Sequence, residues 1–559
     1  MEEVQPLEAS RKFWHTAELV AMTFASLDAN TLSNCARVNK FISEHALDAL
    51  YRNDANLWDV LKILGPLRPK RWDNNERLVF TEPLRPNCWA RFRHYSSRIR
   101  SIIGDTTPNA LSQESMLDLI TTIPTGESLL PSLSEIYWQN IDETISPLIL
   151  FILHENVKAM VISVNAGNIV SDYFLENMAR KAPAIESFHF WLAGDEPEPD
   201  NAINGMIHAV SSLAYLRSLD VHPLLATPDL LRALCSKQYL GSFWGSDFGP
   251  EEMDKDALQV IDFDPGIHPD FPRLWDVAIC SSLVMEPSAQ KMLHAPSLIS
   301  LHIEVVARDH ISEFIPYISS ACTQLRHFSM MLIRRHDDDD DANNANNEVN
   351  LTMTMLNPLL AMKLIEILVI DVPFPPLMDD HELSQFATAF PQLRHFELCA
   401  RAQGAPLWKT PTLAALIPFA THCANLNSIG IFMDASIPPP SLPLDGTMFS
   451  STFEVMHVSC SKITDHCWVV DFLMSILPSH AWLNLSRYSP QLRHVGGAKM
   501  ADIFPVVVDD GLDEDSFEYQ KEWEKASKML DSLKWTRDAM SEQRAEIQRL
   551  RTELNAFIE

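Results

Sequence analysis

The sequence predicts an α/β solenoid that is preceded by three short helices and followed by one long helix. Two observations predict the solenoid. A unit of the form apolar-x-x-apolar-x-apolar recurs from about residue 131, and helical runs lie between successive units. Most units start 24 to 34 residues after the previous one. A single short strand and one helix cannot bury an apolar face alone, so the copies are expected to stack on one continuous core.

Residues 1–52 are predicted to form a separate helical unit. Three short helices lie between Phe13 and Tyr51, and Asp28 is placed to cap the second one, because its carboxylate can accept from early backbone N–H groups. Large apolar residues recur at helical spacing in all three helices. A unit this small is mostly surface, so some of these residues must face a second surface.

The opening segment contains Glu18-Leu19, Leu27-Asp28, Leu32, and Val38 with Phe41. In these residues it resembles an F-box, although His15-Thr16 stands where that family usually has a proline. The resemblance implies docking on a Skp-type linker, and through it assembly with a cullin in a cullin–RING ubiquitin ligase. The residues expected to bind the linker are Glu18, Leu19, Val20, Phe24, Leu27, Leu32, Val38 and Phe41. The alternative is a plain three-helix cap on the next domain.

Residues 53–130 are predicted to be a helical connector and the start of the array. Within residues 62–100 there are ten Lys and Arg and three acidic residues, with aromatic residues interleaved. Such a pattern can indicate nucleic-acid contact, but the helical spacing of Trp89, Phe92 and Tyr95 favours an amphipathic junction. The same stretch is similar to the segment that follows the F-box in a large group of mushroom-type fungal F-box proteins.

The array itself is predicted to span residues 131–505. Its clear units begin at Leu133, Val157, Ile185, Leu216, Leu274, Leu298, Leu325, Ile365, Leu393, Leu426 and Phe453, with degenerate copies at Leu240 and Leu492. This pattern resembles leucine-rich repeats of the loose fungal or plant type, because the Asn that usually closes the strand turn is mostly missing. The resemblance implies an irregular horseshoe. Acidic, Asn-rich and Pro-rich stretches at 194–200, 336–350 and 437–443 are expected to be disordered insertions.

Within each strand unit, the residues between the core positions are expected to point to the opposite, concave side of the sheet, following the period of two. These residues are the candidate surface for a target protein: Tyr137, His189, Trp191, Asp220, His302, Glu304, His327, Glu397 and His457. Aromatic and His side chains on such a face suit protein recognition. The alternative is that some of them pack beneath loops.

Composition argues against several other functions. The net charge is −30, which disfavours contact with nucleic acid or anionic membranes, and no apolar run is long enough to span a bilayer. Glycine is scarce, at 16 of 559 residues, and the motifs of phosphate-binding and hydrolytic sites are missing. Nine scattered cysteines suit a reducing compartment, so a cytoplasmic or nuclear location is expected.

No catalytic residue, metal or cofactor is predicted. The best metal candidate is the group His457, Cys460, His466 and Cys467, because imidazole and thiolate are zinc ligands. Its spacing matches no zinc module, and thiols in an apolar helix usually belong to a core. A histidine follows Leu-Arg in three repeats, so it belongs to the repeat pattern and does not indicate a catalytic site. The chain is therefore not expected to be an enzyme.

The chain is predicted to close with an acidic linker at 506–516 and a helix at 517–559. Apolar residues follow a 3-4 spacing along this helix, but Arg537, Arg544 and Arg551 occupy seam positions and weaken a coiled coil. The pattern favours a helix that lies on the end of the array or on a partner, and self-association through 517–559 stays open.

Together these features predict a substrate-recognition subunit of an SCF-type ubiquitin ligase, whose repeats bind an unknown target protein. The alternative is a non-catalytic scaffold whose opening helices only cap the array.

Overall fold

The structure is a computed structural model. It describes residues 14, 16–52, 55–72, 75–105, 111–165, 172–193, 200–246, 271–305, 311–332, 350–402, 407–438, 448–458, 460–485 and 514–558. The contacts divide the chain into two compact units, Met1–Ser242 and Phe243–Glu559.

The first unit opens with three helices: α1 (Ala17–Ala25), α2 (Ala29–Cys35) and α3 (Lys40–Arg52). Asp28 caps α2, as predicted, and its Oδ1 accepts from the backbone N–H groups of Asn30 and Thr31, each at 3.0 Å. The three helices enclose a small apolar core of Val20, Phe24, Leu32 and Ala46. We call α1–α3 the opening bundle.

The connector leads directly into the array. It contains β1 (Ala55–Asn56), α4 (Leu57–Leu61), β2 (Leu67–Trp72), β3 (Asn75–Phe80), α5 (Pro86–Ser96), β4 (Ser101–Asp105) and α6 (Gln113–Thr122). Strand β1 pairs in parallel with β4, placing Ala55 beside Ile102. Strands β2 and β3 form an antiparallel hairpin that the sequence analysis did not predict. Its Leu78 and Phe80 are buried, and the N–H of Phe80 donates to Ser115 Oγ at 3.0 Å.

The rest of the first unit alternates strands and helices. These are β5 (Glu135–Ile141), α7 (Ser146–Ile152), β6 (Ala159–Asn165), α8 (Asp172–Lys181), β7 (Ser187–Ala193), α9 (Asp200–Ser212), β8 (Ser218–Val221) and α10 (Pro228–Leu234). Strands β4 to β8 are parallel and pair in chain order. The next strand, β9 (Ser242–Gly245), contains the boundary between the two units.

The second unit continues the same alternation. It contains β10 (Asp276–Cys280), α11 (Pro287–Leu293), β11 (Ser300–Val305), α12 (Ile311–Ala321), β12 (His327–Leu332), α13 (Met353–Leu356), β13 (Ile367–Asp371), α14 (Asp380–Ala389), β14 (His395–Leu398), α15 (Leu416–His422), β15 (Ser428–Ile431), β16 (Val455–His457), α16 (His466–Ile476), β17 (Trp482–Asn484) and α17 (Glu514–Ile558). Strands β10 to β17 are parallel and pair in chain order.

The strand register explains the repeat. In β10 to β13, for example, Val277, Leu301, Phe328 and Leu368 pair as successive partners, and all four are buried. Every clear repeat predicted from the sequence lies on one of these parallel strands. The fold is therefore an α/β solenoid of the leucine-rich-repeat type, as the sequence predicts. The predicted copy at Leu492 and most of each predicted insertion lie outside the described residues.

The last helix, α17, begins three residues earlier than predicted and packs on the end of the array within the second unit. Its Trp523, Ala526 and Leu530 are fully buried. The indole N–H of Trp523 donates to the carbonyl oxygen of Ser461 at 2.7 Å. Farther along the helix, Arg537 Nη1 donates to the carbonyl oxygen of Met474 at 3.1 Å. Among the described helices, α17 included, none combines the length and apolar character needed to cross a bilayer.

Candidate protein-binding surfaces

The opening bundle exposes large apolar side chains that its own core does not use. Leu19 is 42% exposed, Val38 64% and Phe41 41%, and all three belong to the set predicted to bind a linker. Met22, which the sequence analysis did not assign to that set, is 71% exposed. Leu19 and Met22 lie three residues apart on α1, so they share one face of the helix. Exposed apolar residues grouped in this way are typical of an interaction surface.

The other members of the predicted set have different positions. Val20, Phe24 and Leu32 are buried in the core of the bundle. Leu27 is half-buried against that core, and Glu18 is exposed. The buried residues face inward because each small helix must use one apolar side to hold the bundle together. These residues therefore cannot touch a second protein, and only Glu18, Leu19, Val38 and Phe41 of the predicted set are exposed.

Arg98 ties the bundle to the connector. Its guanidinium forms ion pairs with Glu44 and Asp48 of α3 and is itself only 11% exposed. It also donates through Nη1 to the carbonyl oxygen of Glu44 at 3.1 Å and through Nε to that of His94 at 3.0 Å. The hydrogen bond from Arg98 lowers the pKa of the Glu44 carboxyl below its ordinary value.

The polar face of the first unit carries a hydrogen-bonded cluster on β7 and β8. His189 lies between two partners: Ser187 Oγ is 3.0 Å from its Nε2, and Asp220 Oδ2 is 3.1 Å from its Nδ1. The indole N–H of Trp191 donates to the same carboxylate oxygen at 3.3 Å. On β5, the Tyr137 hydroxyl donates to a carboxylate oxygen of Glu135 at 3.2 Å.

The distances from His189 to Ser187 and to Asp220 are those found in a Ser-His-Asp hydrolase triad. A triad also needs backbone donors beside the nucleophile to stabilise an oxyanion. Here the N–H of Ser187 donates to the carbonyl oxygen of Lys158 at 3.0 Å. The residues that follow Ser187 are paired with β6 throughout the strand. The arrangement therefore suits a polar network that fixes neighbouring strands better than it suits acyl transfer.

A second cluster lies on β10 and β11 of the second unit. Asp276 is fully buried and accepts from the indole N–H of Trp244 at 2.6 Å. His302 Nε2 lies 2.9 Å from Ser300 Oγ and 3.7 Å from Asp276 Oδ1. Beside it, the Cys280 thiol lies 3.8 Å from a carboxylate oxygen of Glu304.

A third cluster crosses β14 to β17. Glu397 Oε1 lies 3.3 Å from His395 Nε2 and 3.7 Å from His457 Nε2. His457 Nδ1 in turn lies 3.2 Å from Asn484 Nδ2. In the register Glu397 and His457 are separated by Gly430. A Cβ at Gly430 would lie 3.1 Å from both Glu397 Cγ and His457 Cβ, so the two side chains meet because no side chain stands between them.

Burial shifts the pKa values of several side chains on the polar sheet face of the second unit. Burial lowers the pKa of His302 and of His327 to about 4 in each case. Burial raises the pKa of Asp276 to about 6, against the hydrogen bonds from Ser300 and Trp244 that lower it. Burial also lowers the pKa of His457. His302, His327 and His457 therefore present neutral rings near pH 7, as donors and acceptors of hydrogen bonds.

The nine residues predicted for target binding all lie on strands, on the side of the sheet opposite the apolar core. Five are half-buried and can reach a ligand: Tyr137, His189, Trp191, His302 and His327. Four are buried in the networks: Asp220, Glu304, Glu397 and His457. They are buried because neighbouring strands place hydrogen-bonding side chains against them, which the sequence analysis did not foresee. The networks also contain Asp276, Ser300, His395 and Asn484, which were not predicted for this face.

The four residues considered for zinc occupy separate environments. His457 belongs to the Glu397 cluster, Cys460 is buried, and Cys467 is exposed. His466 Nδ1 lies 3.0 Å from a carboxylate oxygen of Glu522 on α17. Within the described part of the chain, no three His, Cys, Asp or Glu side chains are grouped so that they could hold a metal ion.

Comparisons with known proteins give distant likenesses only. No protein-family model matches the sequence, and no curated protein matches it. Among solved structures, the chain is similar to the yeast Rad7 and Elc1 complex at 12% identity and a TM-score of 0.34, over 80% of this chain and 98% of that chain. It is similar to the TLR13–ssRNA13 complex at 12% identity and a TM-score of 0.31, over 70% of this chain and 56% of that chain. Likenesses this distant support no functional conclusion, and the fold assignment rests on the strand register.

Proposed function

We propose that the chain is the substrate-recognition subunit of an SCF-type cullin–RING ubiquitin ligase. In this proposal the opening bundle docks on a Skp-type linker, which joins it to a cullin. The polar sheet faces of the solenoid select a target protein. The chain itself performs no chemistry and positions the target for a transferase carried by other subunits.

One observation carries the proposal. The opening bundle already has a closed core, yet Leu19, Met22, Val38 and Phe41 stay exposed. Burying one such side chain contributes about 1.5–3 kcal/mol, whereas protein association costs on the order of 4–15 kcal/mol. Several of these side chains must therefore be buried together to give stable docking.

The proposal assigns separate roles to the solenoid faces. Half-buried aromatic and His side chains such as Trp191 and His302 contact the target, because they combine apolar area with hydrogen-bonding groups. The buried carboxylates hold these side chains in position through the networks described above. The distal half of α17, where Met540, Ile547 and Leu550 are exposed, is the surface available for self-association.

The decisive experiment measures binding of the purified chain to a recombinant Skp-type linker by surface plasmon resonance. Leu19→Asp and Val38→Asp each place a charge on an exposed position of the bundle, so they should abolish binding while the fold stays intact. Leu32 is unsuitable for this test, because an aspartate there would open the core of the bundle.

Met540→Asp is the matched control, since it makes the same change at a side chain that is 57% exposed on α17. It should leave linker binding unchanged. If the wild-type chain folds normally and does not bind the linker at micromolar concentrations, the opening bundle is only a cap, and the scaffold alternative replaces the ligase proposal.

A further inference from the structure

Helix α17 carries two rows of side chains in different surroundings. The first row faces the end of the array, where Trp523 and Leu530 are fully buried. Lys534 and Arg537 continue this row, and each donates to a carbonyl oxygen of the array. We call these four residues the array row. The array row fixes the rotation of the helix about its own axis, so it decides which other residues face away from the array.

The second row consists of large apolar side chains that stay exposed. Its members are Leu533, Met540, Ile547 and Leu550, which are between 39% and 57% exposed. At about 3.6 residues per turn, the centre of this row lies about 110° around the helix from the centre of the array row. We call the second row the apolar row. The helix can therefore pack on the array and still offer the apolar row to a partner.

Beyond Arg537 the helix is no longer buried. Among the side chains that the structure describes between Asp538 and Leu550, none is buried, although the helix continues to Ile558. Most of the stability of a helix in a protein comes from packing one apolar face against another element. We therefore expect a second element to cover the apolar row.

The spacing of the apolar row indicates what that element is. Leu533, Met540 and Ile547 are seven residues apart, and the sequence continues this spacing with Leu554. A strict seven-residue repeat drifts by about 20° per heptad on a straight helix and stays on one side only in a left-handed supercoil. The element is therefore a second helix, and the repeated residues stand at position a of the heptad with Leu550 at position d.

The apolar row follows a different register from the one that places arginines in the seam. The 3-4 pattern that starts at Trp523 puts Arg537, Arg544 and Arg551 at seam positions. In the structure Arg537 belongs to the array row. In the register of the apolar row the three arginines stand at position e, which flanks the seam, and Leu550 replaces Arg551 as a seam residue.

The flanking charges select a parallel pair of identical helices. Besides the arginines at position e, Glu546 stands at position g. In a parallel pair, position g of one helix meets position e in the next heptad of the other, so glutamate meets arginine. In an antiparallel pair, position e meets position e, and arginine opposes arginine. The ion pair of Glu546 with Arg549 is exposed on both sides, so it exchanges at little cost.

We propose that the apolar row forms a parallel, two-stranded coiled coil with the same row of a second copy of this chain. This inference rests on the proposal that the distal half of α17 serves self-association, and it adds the partner helix, its register and its orientation. The second units of the two copies then lie at the same end of the coiled coil, because each holds the N-terminal part of its own α17. Linker docking is a separate property, since no residue of the opening bundle belongs to the apolar row.

Sedimentation velocity of the full chain at micromolar concentration tests the pairing. The wild type should sediment as a dimer, whereas Ile547→Asp and Leu550→Asp should each be monomeric, because each puts a charge into the seam. Ala545→Asp is the matched control and should stay dimeric, since Ala545 is exposed on the side of the helix away from the apolar row. All three variants should keep the hydrogen-exchange protection of α17 around Trp523, which shows that the helix stays on the array.

Cysteine cross-linking tests the orientation. Cys467 is exposed, so Cys467→Ser is the background. Added to this background, Met540→Cys and Leu550→Cys should each give a disulfide-linked dimer under a mild oxidant, because in a parallel pair each residue meets its own copy. Ala545→Cys should give none. In an antiparallel pair only a residue at the two-fold axis meets its own copy, so the two seam positions cannot both cross-link.

The outcomes separate this inference from the ligase proposal. A monomeric wild type at high micromolar concentration overturns the coiled coil, and so does a dimer that Ile547→Asp and Leu550→Asp leave intact. A dimer that cross-links at one seam position only, or at neither, overturns the parallel arrangement. A monomeric chain that binds the recombinant linker contradicts this inference alone, whereas a dimeric chain that does not bind the linker contradicts the ligase proposal alone.

Discussion

The helices at the two ends of the chain use their apolar residues in opposite ways. Within the first unit, the opening bundle closes a small core of its own and leaves Leu19, Val38 and Phe41 at the surface. Within the second unit, the first half of α17 inserts Trp523 and Leu530 into the end of the array. One end of the chain thus keeps apolar surface available, and the other uses it to complete the solenoid.

The difference shows how one kind of sequence pattern serves two purposes. Both segments are amphipathic and helical, so their composition does not separate them. They differ in how each one is attached to the rest of its unit. The bundle is held to the connector through the ion pairs of Arg98 with Glu44 and Asp48, whereas α17 is held by buried apolar side chains. Changes at the exposed residues of the bundle should therefore leave the core of the array intact, whereas changes at the buried residues of α17 should expose the end of the array.

The largest effect is expected from Trp523→Ala. The change removes a fully buried indole and its hydrogen bond to Ser461, so it should cost about 3–5 kcal/mol and release α17 from the array. Hydrogen exchange should show the loss of protection in residues 518–537. Trp535→Ala is the control, because Trp535 lies on the same helix and is 75% exposed. Equal effects of the two variants would contradict the docking of α17.

Phe24→Ala should have a similar cost of about 3 kcal/mol or more, confined to the opening bundle. Phe24 is 2% exposed and belongs to a core of few residues, so the bundle should lose its helical structure while the array keeps its own. Hydrogen exchange resolved by segment checks this. Phe41→Ala, at a position that is 41% exposed, should spare the bundle and weaken linker binding. Loss of protection in the array after Phe24→Ala would show that the bundle supports the solenoid.

Arg98→Met should loosen the attachment of the bundle at a cost of about 2 kcal/mol, because two carboxylates and two carbonyl oxygens lose their shared donor. Hydrogen exchange should then show faster exchange in α3, at the residues around Glu44 and Asp48. Arg93→Met removes a guanidinium that is 52% exposed and should change this rate little. Equal exchange rates in the two variants would mean that Arg98 does not carry the attachment.

Acid should weaken the same attachment. The pKa of Glu44 is lowered in the folded chain, chiefly by its hydrogen bond from Arg98. The unfolded state therefore binds protons first, so this contribution is present above about pH 4.5 and is lost as the pH falls below that value. The Glu44 side chain is 42% exposed, so we expect a few tenths to about 1 kcal/mol. The melting temperature of wild type minus that of Arg98→Met should shrink between pH 6 and pH 3.5, and a constant difference would exclude this linkage.

The smallest effect on stability is expected on the distal half of α17. Met540→Ser and Ile547→Ser change side chains that are 57% and 51% exposed, so the melting temperature should move little. If the exposed residues mediate self-association, sedimentation velocity should show a dimer in the wild type that both variants dissociate. A monomeric wild type at high micromolar concentration would remove self-association from the proposal.

Much of the array could be predicted because its signal is repeated. Each clear apolar-x-x-apolar-x-apolar unit falls on a strand, and several of the helices between the units were found from their apolar pattern. The hairpin at Leu67–Phe80 was missed because Pro69 and several charged residues hide its alternation. Helix α9 was missed because its sequence contains Gly, Asn and Ser, which are poor helix formers. Strand β17 was missed because His480 stands where the repeat unit has its first apolar residue.

The candidate surfaces were harder to predict than the fold. The period of two gave the correct side of the sheet for His189 and Asp220, but these residues are 31 positions apart in the chain. Whether they face each other depends on the length of the turn and helix between them, which varies from repeat to repeat. The burial of Val20 and Phe24 and the exposure of Leu19 likewise depend on how three helices pack, and the family pattern does not contain that information.

The glycine in β15 has a consequence for how the solenoid comes apart. In repeat proteins each coil contacts mainly its immediate neighbours, so coils can be lost singly from an end. Above Gly430 the side chains of Glu397 and His457 reach over an intervening strand and meet. Three successive coils thereby share one interaction and should open as a block. Local unfolding in this region should then involve all three coils at once. A deletion that removes only one of the three should leave the remaining two poorly ordered.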